Sequence, residues 1–121
     1  MPGDWLMLRG EIRLMDLDPA RTGEANKRRP AVLVSNDGAN TTAAKLGRGV
    51  VTVIPISTNV DRVHPFQVLI PANESGLEHD SKAQAEQVRS VSVERVTDRI
   101  GTVPPKLMLE VDEALRLHLA I

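Results

Sequence analysis

Gly23-Glu24-Ala25-Asn26-Lys27-Arg28-Arg29-Pro30-Ala31-Val32-Leu33-Val34-Ser35-Asn36-Asp37 is a basic turn that runs straight into an apolar strand. Pro30 fixes its own φ and restricts Arg29 before it to extended backbone. The guanidinium of Arg29 therefore projects from a defined place at the mouth of the strand. A guanidinium keeps its charge at neutral pH and binds phosphate oxygens through two parallel donors. Three adjacent cations, Lys27, Arg28 and Arg29, in this setting read as an anion site.

Outward from this stretch the dominant period is two, with many β-branched residues. Strands are predicted near residues 10–17, 31–36, 50–57, 67–70, 81–85 and 99–103, with 91–96 a further short strand or turn. Pro19, Pro30, Pro55, Pro65, Pro71 and the Pro104-Pro105 pair punctuate them. Residues 38–46 read as a short helix after the Asn36-Asp37 cap. Pro105 opens a terminal helix, in which Leu107, Val111, Ala114, Leu115 and Leu119 recur at helical spacing. The expected fold is mainly β with α: a small, strongly curved antiparallel β-barrel with short helices outside it and a C-terminal helix. The polar segment 18–28 is expected to be a mobile loop, and loops on rigid strands commonly carry sites.

The chain has 121 residues, so one domain spanning 1–121 is expected. Folding should bury roughly two-thirds of the unfolded surface, enough for one core. With no cysteine there is no disulfide framework and no thiolate chemistry. Apolar runs fall far short of the ~20 residues that span a bilayer, so no membrane partner is expected. The first eight residues lack the basic cluster of a signal peptide, and the expected location is cytoplasmic. Net charge is −1, which argues mildly against nucleic acid. The distribution softens that objection: residues 1–62 hold nine Lys/Arg against seven Asp/Glu, and residues 63–121 hold six against nine. One Trp and one Phe cannot build a stacking platform, so base recognition would use hydrogen bonds and aliphatic surface.

Three further blocks accompany the basic turn: Arg9-Gly10-Glu11-Ile12-Arg13-Leu14-Met15-Asp16-Leu17-Asp18-Pro19, Val50-Val51-Thr52-Val53-Ile54-Pro55-Ile56-Ser57-Thr58 and Ala83-Gln84-Ala85-Glu86-Gln87-Val88-Arg89-Ser90. In this order and spacing the four resemble the MazF/PemK family of toxin ribonucleases, the mRNA interferases of type II toxin–antitoxin modules. The resemblance covers residues 9 to 119, leaving 1–8 as an N-terminal extension. It implies an SH3-like barrel of the PemK/CcdB type and a homodimer. It also implies a sequence-specific, metal-independent endoribonuclease that cuts single-stranded RNA (mRNA, tRNA or rRNA) and is neutralised by a cognate MazE-like antitoxin. No cofactor is implied.

On the resemblance, Arg29 is catalytic, and a Ser or Thr stands beside it. Ser57 and Thr58 are the two candidates for that hydroxyl. Successive strand residues point to opposite faces, so both cannot reach one phosphate, and alignment through Ile56 favours Ser57. The resemblance places Glu86 and Gln87 along the RNA groove, where an amide can bond a base edge as donor and acceptor. Lys27 and Arg28 are further substrate-binding candidates. Asn36 is another, although capping the following helix is an equal alternative. The histidines, His64, His79 and His118, lie far apart and outside every block. Glu78-His79-Asp80 are consecutive loop residues that do not make a metal site. Two other readings are a gyrase-poisoning toxin of the CcdB kind and an SH3-like binding module without catalysis. The first needs a C-terminal Trp-Gly-Ile, whereas this chain ends Leu119-Ala120-Ile121.

Overall fold

A computed structural model of the chain describes residues 6–17 and 28–121. Lys27 and nearly all of the predicted 18–28 loop lie outside that set. The elements run β1 (Glu11–Asp16), β2 (Arg28–Leu33), α1 (Asp37–Leu46), β3 (Val50–Ser57), β4 (Gln67–Ile70), α2 (Ala72–Ser75), β5 (Ser81–Gln84), β6 (Arg89–Ser92), β7 (Val96–Thr102) and α3 (Pro105–Leu119). Short 3₁₀ turns at Ala85–Gln87 and Val93–Arg95 flank β6.

All recorded pairings are antiparallel, in the order β4-β5-β3-β2-β1-β7, with β6 also on β3. Among the described residues nothing pairs β7 with β4, so the sheet does not close into the expected barrel. β3 is its hub. One edge pairs with β2, while the other is shared: Val50 to Val53 pair with β6, and Ile56 and Ser57 pair with β5. The Ala85–Gln87 turn bridges β5 and β6 where β3 changes partner.

Composition suggested one core; the sheet has one on each face. Along β2 and β3 the alternation is strict. Val32, Val34, Ile54 and Ile56 face one side with Ile12, Val68, Ile70 and the buried stripe Leu107, Met108, Val111 and Ala114 of α3. Ala31, Leu33, Val51 and Val53 face the other with Met15, Leu17, Val91 and Ala43 of α1. Residues of opposite parity on these strands bury against different helices, which makes the central strands apolar on both faces.

Both long helices are punctuated as their sequences require. The Asn36 side chain accepts from Ala39 N–H at 2.8 Å, and Gly47 ends α1 in the left-handed region with φ 70°. α3 begins with Pro105, whose missing N–H would have had no helical partner. No helix among the described residues is long and apolar enough to cross a membrane.

Candidate active site

β2 begins at Arg28, three residues earlier than predicted, so Arg28 and Arg29 are the first residues of the strand itself. Arg29 pairs with Met15 on β1. On its other side the β2–β3 ladder is recorded from Leu33↔Val53 to Ala31↔Pro55. Continued by two residues, that register sets Arg29 across from Ser57. Arg29 shares parity with Ala31 and Leu33, and Ser57 with Val51 and Val53, all of the same core face. The two candidates thus belong to one face and one row, beyond the edge of that core.

The row extends further than the sequence suggested. Ser57 pairs with Lys82 on β5, and Lys82 with Leu69 on β4. Directly opposed residues hold their Cβ atoms about 5 Å apart. Ser57 and Lys82 also hold the β3–β4 connection. The Ser57 Oγ accepts from Asn59 N–H at 3.1 Å, and the Lys82 Nζ donates to the Arg62 carbonyl at 2.8 Å. Lys82 carried no motif signal; its place became visible only once its strand partner was known.

Thr58, one residue on, leaves this row. It lines a cavity of about 490 Å³ with Leu14, Pro30, Leu77, His79 and Ile100. Pro30 and Leu14 are themselves register partners. Ser57 and Thr58 thus border different surroundings, and Ser57 has the strand parity that matches Arg29. His79 and Ser81 at that cavity are neighbours of Thr58 that sequence reasoning missed.

The other candidates fall in separate places. Arg28 pairs with Asp16 across β1 and β2, and both line a cavity of about 410 Å³ with Glu94, Arg95 and Thr97. Glu86 turns inward: its Oε2 accepts from Gln67 Nε2 at 2.7 Å, while Gln67 Oε1 accepts from His64 N–H at 3.1 Å. Glu86 therefore braces the β3–β4 connection through the buried Gln67 and does not present an open carboxylate. Gln87, next to it, is exposed on the 3₁₀ turn at the fork of β3. For Asn36 the structure shows the capping alternative. This residue caps α1 with its side-chain oxygen and follows the far end of β2, roughly 20 Å from Arg29 at about 3.3 Å per strand residue.

His64 stacks on Phe66, with ring centroids 5.0 Å apart. Among the described residues no three His, Asp or Glu side chains are grouped to hold a metal ion.

A sequence profile described as "PemK-like, MazF-like toxin of type II toxin-antitoxin system" matches residues 8–119. The chain is 57% identical to Endoribonuclease MazF9 of Mycobacterium tuberculosis over 114 residues, 94% of this chain and 97% of that one. It is 31% identical to Endoribonuclease EndoA of Bacillus subtilis, covering 96% of this chain and 97% of the relative. Among solved structures, an endoribonuclease from a Mycobacterial species superposes with a TM-score of 0.74 at 23% identity, covering 96% of this chain and 93% of that one. A MazE–MazF crystal structure from Deinococcus radiodurans gives 0.72 at 22% identity, with coverage of 98% and 99%. At these identities the superpositions establish a shared fold.

Proposed function

The chain belongs to the PemK-like, MazF-like toxins of type II toxin–antitoxin systems and is an endoribonuclease toxin of that family; on that premise we propose that it cuts single-stranded RNA at a short sequence, without a metal, using Arg29 and Ser57. The observation that carries this reading is the β2–β3 register, which, continued by two residues, sets Arg29 across from Ser57 on one face.

The nucleophile is the substrate's own 2′-hydroxyl. Its oxygen bonds to the adjacent phosphorus, the bond from phosphorus to the 5′ oxygen breaks, the hydroxyl proton passes to water, and the departing 5′ oxygen takes a proton from Arg29, which regains one from solvent. The products are a 2′,3′-cyclic phosphate and a 5′-hydroxyl end. Arg29 places two parallel donors on the phosphorane, where negative charge grows, and donates toward the leaving 5′ oxygen. A guanidinium holds its proton at neutral pH and is a poor base, so stabilisation of charge is its main work. Ser57 adds a third donor and, held by Asn59 N–H, has a fixed position. Fixing the attacking group in line with the leaving oxygen supplies the rest.

Gln87 is the outward amide suited to a base edge, and Arg28 to a flanking phosphate. The functional unit is a homodimer. A MazE-like antitoxin inhibits by laying an acidic, apolar segment over the cations of the site, a segment that orders on binding. The MazE–MazF structures support such a partner by analogy of fold.

The test is cleavage of a long RNA by purified protein in EDTA, with fragment ends mapped. Cuts at one short sequence, bearing 5′-hydroxyl ends and absent with Arg29→Ala, are expected. Cleavage that vanishes in EDTA and returns with magnesium would overturn the metal-free mechanism.

A further inference from the structure

Lys82 is charged, 9% exposed and placed mid-strand in β5. Lysine is almost never covered to this degree unless paired, because an ammonium loses its hydration without recovering an opposite charge. Here the pair is missing. The ion pairs among the described residues join other side chains, and Lys82 takes part in none of them. Of its three N–H donors one is spent, on the Arg62 carbonyl at 2.8 Å. A neutral amide could hold that carbonyl equally well, so the loop contact does not account for a charge at this position. The neighbour does. Ser57 is the direct ladder partner of Lys82, on the same face and one strand away.

We propose that Lys82 is a phosphate-binding residue of the RNA site. Its two unspent donors take an oxygen of the substrate backbone beside Ser57, while the third keeps the β3–β4 connection in place. A polyanion sliding over Arg29 and Ser57 brings to Lys82 the negative charge that the fold leaves out. Cover by the loop strengthens that pairing, since a partly buried pair is screened less by water and salt. Arg29, Ser57 and Lys82 then form one line of donors across β2, β3 and β5, along which a strand of RNA can run.

This inference rests on the RNA-cleaving reading above, and the wild-type protein separates the two. Binding of an oligonucleotide with deoxyribose at the cut position is measured at several salt concentrations for wild type, Lys82→Gln and Lys82→Arg. Wild type that neither binds nor cuts RNA defeats the reading itself. If wild type binds and cuts, Lys82→Gln should bind more weakly, and its slope of log affinity against log salt should shrink by about 0.7, the value of one phosphate contact on a single strand. Lys82→Arg should keep the wild-type slope. Lys82→Gln keeps a donor for Arg62, so a wild-type slope in a folded Lys82→Gln protein overturns the proposal. A second measurement needs no variant to fold: the ¹⁵Nζ resonance of Lys82 in wild-type protein should shift when the oligonucleotide is added. An unmoved resonance at saturation overturns it as well.

Discussion

Arg29 and Asn36 stand at opposite ends of β2, and their substitutions should behave in opposite ways. In the proposed mechanism Arg29→Ala removes donors aimed at developing charge, a loss that typically costs about 10²–10³ in rate. Arg29→Lys should be nearly as damaging, because lysine keeps the charge and loses the planar fork. Arg29 is exposed, so both variants should melt like wild type. A lysine variant with wild-type turnover would show that charge alone suffices. Asn36→Ala should instead lower stability by about 1 kcal/mol through the lost cap and leave turnover unchanged. Slowed cleavage with unchanged melting would return Asn36 to the substrate groove. The sequence could name Arg29 because Pro30 fixes its backbone and the block order supplies its chemistry. It could not decide Asn36, since the same side chain suits a cap and a base edge. Lys82 was illegible for a different reason: its meaning depends on Ser57, which is distant in sequence.

β3 and β4 lie where periodicity placed them. Errors gathered where local chemistry serves two outcomes. The strand predicted over 81–85 ends at Gln84, and Ala85–Gln87 forms a 3₁₀ turn, because the chain must leave β5 and return to β3 as β6. α2 is a single turn ended by Gly76 with φ 86°, too short to register as a period. β7 starts at Val96, earlier than predicted, and meets β1 through register shifts that blur its alternation. Gly101 in β7 has a definite reason to be glycine: a Cβ there would come within 2.6 Å of the Ser75 carbonyl at the end of α2. Gly101→Ala should therefore destabilise the fold by about 1–3 kcal/mol as backbone is forced aside. Thermal or denaturant unfolding checks this, and a neutral result would mean that α2 yields freely.

At the scale of the whole molecule, the open sheet carries a core on each face, and the proposed site continues one of those faces beyond the edge of its core. Arg29 and Ser57 stand at the ends of β2 and β3, so core and catalysis should be alterable independently. Val111→Ala, in the fully buried stripe of α3, should cost about 1–3 kcal/mol while leaving cleavage per folded molecule unchanged. The sequence was informative on composition class and element order but not on closure, because whether the outer strands meet depends on accumulated twist and not on any one segment. Assembly follows from the proposed dimer: light scattering should give about twice the 13.2 kDa chain mass. A fully active monomer would refute a shared groove and leave the chemistry at Arg29 standing.

The proposed chemistry makes the substrate its own nucleophile. The most direct measurement compares two oligonucleotides in EDTA, identical except that one has a single 2′-deoxyribose at the mapped cut position. Equal binding, with the all-ribose strand cut and the substituted strand intact, is the predicted result. Cleavage of both at the same bond would show that the 2′-hydroxyl is not the attacking group, and would contradict the account.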